Sequence, residues 1–157
     1  ALPDTGSAAI VDIRRNEGSP LSRMKTLAYL DNVLAAGQAE QRGAEEAILL
    51  NNAGRVACAA RANLFALIGD RLVTPPIAEG VLPGIARWTV LDIADDLGMA
   101  VEERALPVGE FQRAREIWLT NSLFEIRSVA RLDDRDLPGG DDLAKKFRKA
   151  YRALTAQ

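Results

Sequence analysis

Lys25 is the residue of this chain best placed for covalent chemistry, because it stands almost alone. The other three lysines, Lys145, Lys146 and Lys149, crowd one charged segment near the end, and sixteen arginines carry the remaining positive charge. A guanidinium cannot deprotonate and condense with a carbonyl, whereas a lysine amine can once burial or a neighbouring cation lowers its pKa. By position alone Lys25 also reads as an ordinary helix-start lysine. Three further stretches offer polar groups. Gly84-Ile85-Ala86, at the start of a helix, presents free backbone N–H groups and the positive end of the dipole, an anion site in outline; a plain Pro-Gly helix start is the commoner use of that pattern. Thr120-Asn121-Ser122, between Leu119 and Leu123, carries hydroxyl and amide donors for a phosphate or carboxylate, or simply turns the chain between two strands. Cys58 and Asn63 put a thiol and an amide on a strand-turn, and Cys58 by itself reads as a small buried hydrophobe.

The elements that must position these residues follow from periodicity. Ala8–Ile13 has the β-branched richness of a buried strand, after a Pro/Gly/Thr-rich stretch, Ala1–Ser7, that reads as an arriving linker with no initiator methionine. From Thr26 the apolar residues Leu27, Leu30, Val33 and Leu34 fall at a 3.6-residue period, predicting an amphipathic helix to about Arg42 with Lys25 at its start. Two hairpins come next: 47–50 with 55–58 across Asn51-Asn52-Ala53-Gly54, then 64–68 with 71–74 across Gly69-Asp70, stopped by Pro75-Pro76. A second long helix opens at Leu82-Pro83-Gly84 with a stripe of Ile85, Trp88, Leu91 and Leu97 and ends at Gly98. Strands are expected over 99–105, 116–119 and 124–132, with a short helix over 107–114 and an exposed turn at 133–136. An amphipathic helix over 141–156, with Leu143, Phe147, Tyr151 and Leu154 on one face, closes the chain.

Composition narrows the function. At 157 residues, 48% hydrophobic and 27% charged, the chain suits one globular domain with a real core. A net charge of -2, with arginines interspersed among acids, gives no field for nucleic acid or an anionic membrane. One cysteine cannot form an internal disulfide, no apolar run suffices for a membrane span, and no signal-peptide core is evident, so the cytoplasm is the expected compartment. The absence of histidine rules out a Ser-His-Asp triad and makes a zinc site improbable, so no metal ligands are assigned.

Taken in order, a lysine before a helix, a strand-turn ending in Asn63-Leu64-Phe65, Thr74-Pro75-Pro76, Leu82-Pro83-Gly84-Ile85 at a helix start, and Thr120 before Glu125-Ile126 resemble the class IV, fold-type IV pyridoxal-phosphate enzymes. These are the branched-chain and D-amino-acid aminotransferases and the aminodeoxychorismate lyases. The resemblance runs from about Arg14 to Leu132. It implies that Lys25 forms the internal aldimine with pyridoxal 5'-phosphate and that Tyr29 stands near a cofactor oxygen. Gly84, Ile85 and Ala86 would then supply the backbone half of the phosphate cup, and Asn121 and Ser122 other phosphate donors. Cys58 and Asn63 would also lie against the cofactor. Two positions depart from the family pattern. Cys58 stands where the family has a glutamate facing the pyridinium nitrogen, and a thiol holds no fixed negative charge there. Ala86 replaces a threonine, removing one hydroxyl donor worth about 1–3 kcal/mol to a shielded phosphate.

The fold implied is α+β, a mixed barrel-like sheet flanked by helices, with residues 1–157 forming the C-terminal, lysine-carrying large domain and the smaller N-terminal domain absent from this chain. The function implied is an aminotransferase acting on amino acids and 2-oxo acids as a homodimer. The alternatives are aminodeoxychorismate-lyase-type elimination, or a catalytically impaired homologue kept as a cofactor-binding or dimerising module. Arg14, Arg15 and Arg61 could reach a substrate carboxylate, though surface charge is the commoner use of each.

Overall fold

Short strand-forming runs separated by tight turns build this chain, and the computed structural model, which describes residues 3–155, joins ten of them into one curled sheet. The strands are β1 (Thr5–Arg15), β2 (Glu46–Asn51), β3 (Arg55–Ala59), β4 (Asn63–Ile68), β5 (Arg71–Thr74), β6 (Val101–Glu103), β7 (Leu106–Pro107), β8 (Glu116–Asn121), β9 (Glu125–Leu132) and β10 (Arg135–Asp136). Four α-helices, α1 (Leu30–Gln41), α2 (Ile85–Asp96), α3 (Val108–Phe111) and α4 (Asp142–Thr155), complete the described residues. The strand order is β6-β5-β4-β8-β9-β1-β2-β3-β7, with β10 on β9. β1 pairs in parallel with β2 and β9, and β5 with β6, while the other neighbours are antiparallel. This is the mixed, barrel-like sheet flanked by helices that the sequence implies. The sheet curls because β3 and β4, far apart in the strand order, follow one another in sequence and lie side by side without pairing.

Alternation along the strands sorts the core into layers. Ile48, Leu50, Val56, Leu64, Ala66, Ile117, Leu119 and Val129 point into the curl. Their neighbours on β1 and β2, Val11, Ala47 and Leu49, face α1, and Phe65, Leu72, Trp118 and Ile126 face α2 and α4. With helices on one side and the curl on the other, β2 is buried at every position. Phe147 of α4 lies 4.8 Å from Trp118 between ring centroids, and burying such a side chain stabilises by about 1.5–3 kcal/mol.

Several expectations need correction. β1 begins at Thr5, so the last three residues of the expected linker, Thr5, Gly6 and Ser7, are strand; Ala1 and Leu2 lie outside the described residues. α1 starts at Leu30, and Lys25 sits in irregular chain between a 3-10 turn (Pro20–Arg23) and that helix. The stripe of Leu27, Leu30, Val33 and Leu34 faces solvent, with Leu27 102% exposed, while α1 packs on the sheet through Asn32, Ala35 and Ala39. Small residues let a helix axis approach the sheet closely, and periodicity alone does not say which of two faces is small enough to do so. The same holds for α2: Ile85 and Trp88 are exposed, and Ala86, Val90, Ile93 and Ala94 are buried. In α4 the buried face is Ala144, Phe147, Arg148 and Tyr151, with Leu154 exposed. The strand expected over 99–105 is shorter, and β7 is a separate two-residue pairing with β3.

Candidate functional site

The β3–β4 turn, residues 60–62, lies where the curl comes together, and the predicted stretches meet on it. The Tyr29 hydroxyl donates to the Ala60 carbonyl (2.7 Å), and Asn32 Nδ2 donates to the same oxygen (2.7 Å). From the other flank, Asn63 Nδ2 donates to the Leu82 carbonyl (2.8 Å), just before α2. From the end of β8, Asn121 Nδ2 donates to the Arg61 carbonyl (3.0 Å). The start of α1 and the end of β8 are therefore fastened to this turn, and the start of α2 to Asn63, the residue that follows it.

Each group is held there for a local reason. Asn32 is on the buried face of α1, and Tyr29 immediately precedes that helix. Gly84 caps α2 without a side-chain bond, and the helical ladder begins with the Trp88 N–H donating to the Gly84 carbonyl (3.1 Å). The N–H groups of Ile85, Ala86 and Arg87 thus have no helical acceptor and carry the positive end of the helix dipole. A Cβ at Gly84 would collide with Asn63 Oδ1, so only glycine lets the strand side chain lie this close to the helix start. Asn121 Oδ1 accepts from the N–H groups of Leu123 (2.9 Å) and Phe124 (3.0 Å), which makes Asn121 the residue that shapes the β8–β9 turn.

Cys58 is buried on β3 against Ala57 and Val81. Burial pushes its thiol up to about 11, partly opposed by the Arg15 guanidinium. Arg15, left as a surface-charge candidate by the sequence, is instead an internal strut: it donates to the carbonyls of Gly80 (2.9 Å) and Ser22 (2.5 Å) and to Asn32 Oδ1 (3.4 Å). It ties the end of β1 to the segment carrying Lys25, to α1 and to the approach to α2. The pKa of Tyr29 is raised, chiefly by desolvation, with Arg61 pulling the other way. Arg61 pairs with the buried Glu46 carboxylate (2.7 Å), and Arg14 is exposed.

The structure therefore brings Tyr29, Asn63, Gly84 and Asn121 to one turn and places Cys58 at its β3 side. Lys25 and Ser122 are exposed, Ile85 is exposed, and Ala86 is buried in the α2 contact. Sequence reasoning missed Asn32 and Arg15 as organisers, because their partners Ala60 and Gly80 are brought to them only by the fold. An uncapped helix start of twelve residues with three free N–H groups suits a phosphate, and Lys25 and Tyr29 suit a carbonyl compound bearing one, so the donor set fits pyridoxal phosphate. A shallow cleft of about 340 Å³ lies at the opposite end of β4, against Leu67, Gly69 and Glu116, away from this site.

Comparison with known proteins gives the same grouping. The family described as amino-transferase class IV matches residues 2–132. The branched-chain-amino-acid aminotransferase of Escherichia coli K12 is 30% identical over 128 residues, covering 80% of this chain and 41% of its own length. Among solved structures, the branched-chain amino acid aminotransferase of Thermobaculum terrenum in its PLP form superposes with a TM-score of 0.91 at 32% identity, over 96% of this chain and 50% of that one. A Legionella pneumophila structure, named provisionally as a 4-amino-4-deoxychorismate lyase, superposes with a TM-score of 0.90 at 29% identity, over 95% of this chain and 56% of that one. The chain spans about half the length of these relatives.

Proposed function

Because the chain belongs to the class IV aminotransferase family, we propose that it is the lysine-carrying domain of a pyridoxal-phosphate-dependent aminotransferase acting on amino acids of the branched-chain or D type. The observation that carries this reading is the convergence of the α1 start, the α2 start and the β8 end on residues 60–63, the β3–β4 turn and the first residue of β4. When bound, the cofactor supplies an electron-withdrawing ring. The chain's own residues do the rest. Lys25 would supply the amine that condenses with the cofactor carbonyl, losing water, and, once the substrate amine has displaced it, would be free to take and return the proton at the substrate α-carbon. Tyr29 orients a cofactor oxygen, and the free N–H groups at the start of α2 hold the phosphate, with Asn121 and Ser122 beside it. A preceding small domain would close the substrate side, the working unit would be a homodimer with amino-acid and 2-oxo-acid substrates, and the cytoplasm would be its compartment. Among the described residues no helix is long and apolar enough to cross a membrane.

Cys58 favours a second reading, a catalytically impaired homologue kept as a cofactor-binding or dimerising module. A thiol pushed up to about 11 is neutral at pH 7 and presents no negative charge to a ring nitrogen. One experiment tests the first reading: borohydride reduction in the presence of pyridoxal phosphate, followed by peptide mapping. The expected result is a single label on Lys25, lost with colour and turnover in Lys25→Ala. A label confined to Lys145, Lys146 or Lys149 would refute it.

A further inference from the structure

Glu125 opens β9 with a left-handed backbone, at a φ of 64°. A Cβ makes that conformation costly, and glutamate lacks the short polar side chain that eases it in asparagine or aspartate. Asp133, the other non-glycine residue at positive φ among those described, is of the tolerant type and sits in an exposed turn. Glu125 instead closes the β8–β9 turn, whose first residue, Asn121, is fastened to the candidate site. A backbone outlier in such a place has a local cause and points to a use.

The cause lies on α4. Arg152 Nε donates to the Glu125 carboxylate (2.8 Å), and Arg152 is itself steadied by Asp4 (3.4 Å). Asp4 also pairs with Arg148 (3.7 Å), whose guanidinium is fixed to Asp141 and to Ile126 and Ser128 of β9. The turn is thus held from both ends. Asn121 Nδ2 ties one end to the Arg61 carbonyl, its Oδ1 accepts from the N–H groups of Leu123 and Phe124, and Glu125 ties the other end to α4. Between the two ties stand Ser122 and Leu123, both exposed.

We propose that Glu125 is a positioning residue of the candidate site: the Arg152 clasp on its carboxylate holds the left-handed backbone that keeps Asn121 and Ser122 in place. The site thereby depends on the docking of α4. Glycine would adopt the same backbone without a tether, whereas glutamate makes it conditional on a partner 27 residues away. This deepens the cofactor reading above and rests on it for what Asn121 and Ser122 meet; the clasp itself stands on the residues alone.

The test follows amide hydrogen exchange at Leu123 and Phe124, affinity for pyridoxal phosphate, and melting temperature in the full chain. Glu125→Gln keeps the strained Cβ and loses the charge, and Arg152→Met removes the clasp from the other side. In both, a relaxed backbone competes, so exchange at the two amides should speed up about tenfold or more, and affinity should fall about threefold, by the fraction of chains whose turn is in place. Glu125→Gly should do neither, and Glu125→Gly added to Arg152→Met should restore both, because glycine needs no tether. Melting should move by less than about 4 °C in every variant, since the pair is partly exposed. Wild-type exchange and affinity in Glu125→Gln and Arg152→Met would overturn the proposal, as would Glu125→Gly as loose as Glu125→Gln, or losses that simply follow melting temperature. Faster exchange with unchanged affinity would also overturn it, because the clasp would then shape the turn without serving the site. Wild type that forms no reducible adduct with pyridoxal phosphate would overturn the cofactor reading, while the exchange rates would still decide for or against the clasp.

Discussion

Two polar regions flank the outer side of the sheet, and they are built in opposite ways. Where α4 crosses β8 and β9, buried charge is matched group by group. Arg148 donates to the Ile126 carbonyl (3.5 Å), to Ser128 Oγ (3.3 Å) and to Asp141, and Ser128 in turn donates to Asp141. Close by, Glu116 accepts from Trp118 Nε1 (2.9 Å). Where α1 and α2 begin, by contrast, three helical N–H groups and the Thr120 hydroxyl are left unmet, and Lys25 stands free in solvent. The first region spends its polar groups on holding a helix in place. The second leaves them for something that arrives from outside, so satisfaction rather than polarity distinguishes a structural cluster from a candidate site.

The largest expected effect breaks the contrast from the structural side. Arg148→Met strands the Asp141 carboxylate and unfastens α4, and should cost about 3 kcal/mol, the low end for a buried pair because Asp141 is not fully enclosed. Urea unfolding of the variant should show the loss, while Lys25→Ala should shift stability by less than about 0.5 kcal/mol. A comparable stability loss from both would erase the difference between the regions.

Gly84→Ala should rank second. The new Cβ must displace Asn63 Oδ1, and overpacking of this kind costs about 1–3 kcal/mol. Phosphate binding should weaken with it, because the first turn of α2 is displaced. A variant as stable as wild type would show that Asn63 swings away freely and does not lock the turn to the helix.

How much of this was legible depended on range. The strands were readable because β-branched runs and the turn residues Asn51-Gly54 and Gly69-Asp70 are local signals, and Gly54 and Gly69 do adopt positive φ (76° and 61°). The order of Lys25, Asn63, Gly84 and Thr120 marked the site region through resemblance. Helix faces were misread because the sheet selects small residues, Ala35 and Ala39 in α1, over the larger Leu30 and Leu34. The partners of Arg148 and Arg15 were illegible: Ile126, Ser128 and Gly80 are brought to them by the curl, and nothing in the flanking residues announces it.

The smallest effect sharpens the contrast at Cys58, which borders the site yet behaves as core. Its folded thiol is raised from an ordinary 9.0 to about 11, by burial first and against the pull of Arg15. A pKa raised on folding means that the fold prefers the protonated form. The contribution is fully present below pH 9, where folded and unfolded chains both carry the proton, and is lost as pH rises toward 11, where the unfolded chain ionises first. At pH 10 the loss should be about 1 kcal/mol. Cys58→Ala has no proton to lose. It should be less stable than wild type at pH 7, because a buried sulfur is missing, and the gap should narrow between pH 9 and 11. Urea midpoints of the two proteins across that range measure it. Parallel curves would mean that the thiol ionises equally well in the folded chain, and that a thiolate facing the site is within reach at moderately alkaline pH. Converging curves mean that the neutral thiol is built in, and a site bordered by it must do its chemistry without a fixed anion at that position.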